Sequence, residues 1–286
     1  MVSLRNGWQI AGYSLSMQRD QARTWVAFVL MTLLSVQSVG KWYTLSRALE
    51  GPVQLAEPMV LWYNGLFTPF ILFAALFLVL CDAPFYTRFD SWMLVRASRK
   101  SWYAGKCLEI LGLCTCYIVV TTGVGLLASI PIGYGANRWS LVLQQAIQDT
   151  FQLNSGVDLG TTVTGNVLFA AYPWGTLVRQ ALLFIAYGTL LGMLTLVLNI
   201  AFRRLIGTGL AFLLHTAASL AETLKITQIQ AVNPARWMML RNMDAQQMWG
   251  GNTFLGALCG LLAAAAVLAI VGYWIFRRVD MEREKT

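Results

Sequence analysis

From Phe254 to Phe276 the chain reads FLGALCGLLAAAAVLAIVGYWIF, without one Lys, Arg, Asp or Glu. A helix needs about 20 such residues to cross a hydrocarbon core of roughly 30 Å. Five further stretches approach that length. They are about 25–45, whose second half is polar; 59–81, which holds Asn64 and Pro69; 107–130, which ends before Pro131; 181–202; and 205–221, which is short and carries His215. The runs are continuously apolar rather than alternating, which selects helices over barrel strands. Composition agrees: 57% of residues are apolar and 12% charged, against about 25% charged in a soluble domain. A soluble enzyme and a disordered chain are excluded. Five cysteines, sparse and odd in number, exclude a secreted disulfide framework. The fold class expected is all-α: a polytopic membrane protein of six transmembrane helices, forming a single transmembrane domain over residues 1–286. The first twenty residues lack the apolar core of a cleavable signal peptide.

Orientation follows from Lys and Arg, which concentrate in cytoplasmic segments. With the N-terminus inside, Arg5, Arg19 and Arg23 precede the first span, and Arg88, Arg96, Arg99, Lys100 and Lys106 lie between spans two and three. Arg203 and Arg204 form the turn between spans four and five, and Arg277, Arg278, Arg283 and Lys285 the C-terminal tail. Only Lys41, Arg47, Arg138, Arg179, Lys225, Arg236 and Arg241 remain for the longer outer segments. Both termini are thus expected in the cytoplasm, and the net charge of +8 requires no nucleic acid. The predicted location is the cell membrane, the inner or plasma membrane of a bacterium.

Ahead of span one, residues 1–24 are too polar to cross. Leu4, Trp8, Ala11, Gly12 and Leu15 fall near one helical face, which predicts an amphipathic helix in the inner interface. Two outer segments are longer than a connection needs. One, 131–173, holds a helical pattern at 138–153 and then a Gly- and Thr-rich stretch. The other, 222–252, has aromatic and Met residues around Trp237 and Trp249.

Candidate chemistry inside the spans is sparse. His215 is the only histidine, with Glu222 two turns along the same face. Zinc takes three or four protein ligands, so no metal site is expected. The simplest reading is a histidine bonded to a neighbouring span or lining a pathway. No GxxxxGK[ST] phosphate loop, GxSxG or HExxH occurs, so the chain is expected to be no enzyme and to hold no cofactor. Glu109 lies one turn from Lys106 and is expected to pair with it. The five cysteines read as inert packing residues.

The most informative stretch is the inner one, CDAPFYTRFDSWMLVRASRKSWYAGK at 81–106. Asp82-Ala83-Pro84 ends span two. Phe89, Trp92, Met93 and Arg96 then share one helical face. Such a basic, aromatic helix either lies on anionic lipid or enters a groove of a soluble partner. The run Arg96-x-Ser98-Arg99-x-x-Trp102-x-x-Gly105-Lys106, following Asp82-Ala83-Pro84-Phe85, resembles the inner loop of ABC-2 type transporter permeases. The order of an interfacial helix, six spans and a longer outer segment before the last span is also similar to that family. The segment between spans three and four is longer than in many of its members.

The resemblance implies that residues 88–103 are a coupling helix docking on a separate cytosolic ABC ATPase, with Arg88, Trp92, Arg96, Ser98, Arg99 and Trp102 as contacts. That partner would bind ATP and Mg. Two such permeases, a homodimer or a pair, would enclose a pathway lined by Gln37, Asn64, Thr68 and His215. An outer gate or re-entrant element is implied at Pro234, Arg236 and Trp237. The function implied is the permease of an ATP-driven exporter. The alternative is a membrane sensor, immunity or anchoring protein that transports nothing.

Overall fold

The computed structural model describes residues 2–65, 67–84, 98–146, 172–202, 204–224, 232–243 and 253–278. Among these the chain is almost entirely helical. Helix α1 (Val2–Gln18) is followed by α2 (Ala22–Ala48), α3 (Glu57–Tyr63), α4 (Thr68–Leu80) and α5 (Arg99–Ser129). Then come α6 (Leu141–Ala146), α7 (Pro173–Ala201), α8 (Arg204–Thr223), α9 (Pro234–Trp237) and α10 (Phe254–Arg278). A two-residue parallel pairing joins Val53–Gln54 (β1) to Gly133–Tyr134 (β2).

Among the described residues five helices are long and apolar enough to span a membrane, and a sixth span is counted if α3 and α4 form one. This is a multi-pass membrane protein. The expected continuous span at 59–81 is instead broken: α3 and α4 meet at 83°. Gly65 and the Pro69 ring near the start of α4 interrupt the helical ladder there. The helix that contains the third expected span begins at Arg99, ahead of Cys107. Ser98 caps it, its hydroxyl accepting from the Ser101 amide at 3.2 Å. The helix of the fourth begins at Pro173, ahead of Ala181.

Helix α7 is the centre of the bundle, with 72% of its apolar window buried, against 17% for α8 and for α10. Its main neighbours are α10, α8 and α5. Phe73, Phe184 and Tyr187 pack edge to face between α4 and α7. Lipid-facing residues such as Leu205 (87% exposed) remain large and apolar, because the bilayer accepts them. Close approach of α7 and α8 depends on Gly207. A Cβ there would lie 2.6 Å from the Asn199 amide nitrogen and 2.6 Å from the Leu198 carbonyl carbon. Backbone cannot move aside as a side chain can. Gly207→Ala is therefore expected to cost ~1–3 kcal/mol, read as a lowered melting temperature in detergent.

The N-terminal helix packs along α5. Its face against α5 is Gly7, Ile10, Ala11, Ser14 and Gln18, whereas Trp8 is 66% exposed and Gly12 is open. A Cβ on Gly105 would lie 2.9 Å from the Ile10 side chain and 3.1 Å from the Gly7 carbonyl oxygen, so small residues set this crossing. Beneath it, Lys106 and Glu109 are both wholly buried and lie 3.3 Å apart. Lys106 Nζ donates to Ser14 Oγ at 2.8 Å, and Gln18 Nε2 to Glu109 Oε1 at 3.4 Å. The expected Lys106–Glu109 pair is present, with α1 as its lid.

Candidate functional site at the helix break

The end of the bundle carrying Arg23, Lys100 and Arg277 is here called the basic end. At the opposite end, polar side chains hold up a short, broken segment, residues 233–243, made of α9 and a 3-10 turn at Leu240–Asn242. Met238, Met239 and Leu240 of this segment are buried in the main core, so it dips between helices. Backbone at that depth needs internal partners, and they come from α7, from α8 and from the break after α3. Gln180 of α7 serves twice: its Nε2 donates to the Met238 carbonyl at 2.7 Å and its Oε1 accepts from the Leu240 amide at 3.2 Å. Asn64, at the break between α3 and α4, accepts from the Arg241 amide at 3.2 Å. Its own carbonyl accepts from Arg241 Nη1 at 3.1 Å. Asn242 Nδ2 donates to Glu222 Oε1 at 2.8 Å, and Asn233 Nδ2 to the Ala218 carbonyl at 2.8 Å. Burial holds Arg241 below the usual arginine range, against the opposing pull of the Glu222 carboxylate.

The segment is therefore strapped to three helices at once. Asn64→Ala leaves the Arg241 amide without its acceptor and should cost ~1–3 kcal/mol. Faster amide exchange confined to residues 233–243 would accompany the loss.

A second polar knot lies at the same end, beside the smaller apolar cluster that includes Val53, Leu61, Val142 and Leu143. The Glu57 carboxylate is fully buried. It accepts from the Gln54 amide at 3.2 Å, from Ser140 Oγ at 2.6 Å and from the Ser140 amide. Ser140 Oγ in turn accepts from the Leu143 amide at 3.0 Å, capping α6. The β1–β2 pairing, the start of α3 and the start of α6 are thus joined at one carboxylate.

Below the break sits His215, 1% exposed. Its Nδ1 shares a 2.9 Å hydrogen bond with the Tyr187 hydroxyl, and its ring stacks on Phe70 at 5.6 Å between centroids. Phe73 and Phe77 close the cage. The expected bond to a neighbouring span is present, to α7. Tyr187→Phe would leave that nitrogen without a partner, and a melting-temperature loss equivalent to ~1–3 kcal/mol is expected. An unchanged melting temperature would show that the bond contributes nothing. Among the described residues no three His, Cys, Asp or Glu side chains gather into a metal site.

A cavity of about 490 Å³ opens between α7, α8, α9 and α10, lined by Tyr187, Leu214, His215, Pro234, Trp237 and Leu268 among others. His215, Pro234 and Trp237, for which the resemblance implies pathway and gate roles, thus border one space. Arg236 is half-buried beside them. Asn64 and Thr68 flank the helix break instead, and Gln37 is exposed on α2.

Of the coupling residues, Arg88, Trp92 and Arg96 lie outside the described residues. Ser98 and Arg99 open α5 and are exposed. Trp102 has no exposed surface and stacks on Phe276 at 5.1 Å, so it seats α5 on α10 rather than facing a partner. The chain at residues 81–84, ahead of the segment expected to couple, is tightly held. Asn199 Nδ2 donates to the Ala83 carbonyl at 2.6 Å and the Cys81 carbonyl at 3.3 Å. Thr208 Oγ1 lies 2.9 Å from the same Cys81 carbonyl, and Arg23 pairs with Asp82. Sequence reading missed Glu57, Gln180, Tyr187, Asn199 and Thr208. Gln180 and Asn199 were visible as polar residues within or beside an apolar run, which mark function or packing by default. No family model and no curated protein matches the chain.

Proposed function

We propose that this chain is the permease subunit of an ATP-binding cassette exporter. The observation that carries the reading is the convergence of His215, Pro234 and Trp237 on one cavity beneath a strapped, re-entrant segment. A transport pathway needs such a polar-tipped space near an end that can open, and a simple membrane anchor does not. In this reading α3 and α4 together make the second of six spans, and both termini lie in the cytoplasm. Residues 88–103 form the coupling segment, and a separate cytosolic ATPase supplies ATP and Mg. Two permeases, identical or paired, complete the pathway in the cell membrane.

The basic end suits mechanical coupling. Asn199 and Thr208 sit at the two sides of the α7–α8 turn and grip the last carbonyls before the coupling segment. Movement of that segment reaches α8, and with it His215, through hydrogen bonds rather than through loose chain. The test is co-purification. Trp92→Ala combined with Arg99→Glu is expected to abolish retention of the cognate ATPase while membrane insertion stays normal. Unchanged retention overturns the exporter reading and leaves the sensor, immunity or anchoring alternative.

A further inference from the structure

At the basic end a second cavity, of about 520 Å³, lies between α1, α5 and α10. Its walls are Trp8 from α1, Tyr103, Ala104, Cys107 and Leu108 from α5, and Ala269, Ile270 and Tyr273 from α10, with Lys100 at the rim. The volume is within the roughly 300–1,000 Å³ of ligand clefts. Its polarity is graded along the helix axis. Lys100 is exposed at the mouth, and Arg99, Arg277 and Arg278 are exposed at the same end of the bundle. Among the described residues none of the four is paired with a carboxylate. From Lys100 to Leu108 the groove runs about 12 Å along α5 and becomes apolar, floored by the small side chains of Ala104 and Ala269.

We propose that this groove is a binding site for an anionic phospholipid, with an acyl chain between α5 and α10 and the phosphate at Lys100. A cation at the mouth over an apolar slot is the polarity profile of one phospholipid molecule, and basic pockets between spans select anionic headgroups. A second copy of this chain fits poorly, because two-fold pairing on this face would bring Lys100 and its neighbouring arginines against their own images. Trp8 has a part in this site that the inner face of α1 does not explain. Turned away from the helix crossing, its ring walls the slot at the depth where amphipathic aromatics settle.

The test uses the full chain, purified and stripped of lipid, with bound lipid counted by native mass spectrometry. Dioleoylphosphatidylglycerol, dioleoylphosphatidylcholine and inorganic phosphate are the three probes. One phosphatidylglycerol per chain is expected to be retained in preference to phosphatidylcholine. Lys100→Glu should weaken that retention about tenfold, and because the residue is exposed the fold is not at risk. Ala269→Trp, which fills the slot, should remove binding of both lipids while the melting temperature without lipid holds. Equal retention of the two lipids overturns the proposal, as does unchanged binding by Lys100→Glu. Displacement of phosphatidylglycerol by an equal concentration of inorganic phosphate would reassign the site to a simple anion. A change of oligomeric state in Ala269→Trp with lipid binding intact would reassign the groove to a second copy.

Discussion

Replacing Lys106 by methionine is expected to remove ~3–5 kcal/mol of stability, because it strands a buried carboxylate. Glu109 and Lys106 have no exposed side-chain surface, so water cannot replace the lost partner. Gln18 supplies one bond at 3.4 Å, too little to hold an unpaired charge. The converse change, Glu109→Gln, strands the ammonium and should cost a similar amount, softened by Ser14 and by the Trp102 ring 5.6 Å from Nζ. The double variant Lys106→Met, Glu109→Met is expected to recover most of the loss, since exchanging a buried pair for apolar residues of similar size is often close to neutral. Unfolding free energies in mixed micelles read all three. Additive losses in the double variant would mean that the two side chains act separately. The same experiment reports on α1: with the pair unbalanced, the helix that covers it should become the first site of proteolysis.

Glu57→Ala is expected to be the next most damaging change. It removes the acceptor of two buried backbone amides, Gln54 and Ser140, and of the Ser140 hydroxyl. Each buried donor left unmade costs ~1–3 kcal/mol, so the two amides alone account for a loss of ~2–6 kcal/mol, the Ser140 hydroxyl being free to turn to another acceptor. The damage should be local in space and wide in sequence. Amide exchange should quicken at 53–54, at 133–134 and at 140–143 together, although these stretches are distant along the chain. Glu57→Gln keeps one carbonyl oxygen but turns an amide nitrogen towards donors, and should fall between alanine and wild type. Ser140→Ala removes only the hydroxyl and should cost least. If Glu57→Ala and Ser140→Ala proved equal, the carboxylate would not be the organising group.

How much of this was readable from the residues varies with the range of the interaction. The long helices were legible because a bilayer demands uninterrupted apolar length, and Phe254–Arg278 or the later part of Pro173–Ala201 meets that demand alone. The break at 64–67 was written in Asn64-Gly65 and Pro69, but averaging hydropathy over 59–81 concealed it. The apolar residues of α1 were legible, but not which side of the helix meets protein. In water the apolar side of a helix turns inward; against a bilayer the apolar side has two places to go. Here Trp8 took the outer one, and Gly7, Ser14 and Gln18 took the protein. The straps at 233–243 and the Glu57 knot were not legible, because their partners are dozens of residues apart and no local pattern links Glu57 to Ser140 or Gln180 to Met238. His215 with Tyr187 is an intermediate case: a lone polar side chain in a span predicts some partner, not which.

The grip of Asn199 and Thr208 on the Cys81 and Ala83 carbonyls has a kinetic consequence. A loop that joins two helices by free chain absorbs a push as slack, and the response arrives late and spread out. Here the chain is clamped at its point of departure to the hinge of a helical hairpin, and Arg23 fastens the same point to α2. The hairpin and the loop root therefore form a single lever, and whatever displaces residue 84 must rotate it or break the clamp. Motion of the two should share one relaxation time in wild type, and separate into two when Asn199 is replaced by leucine.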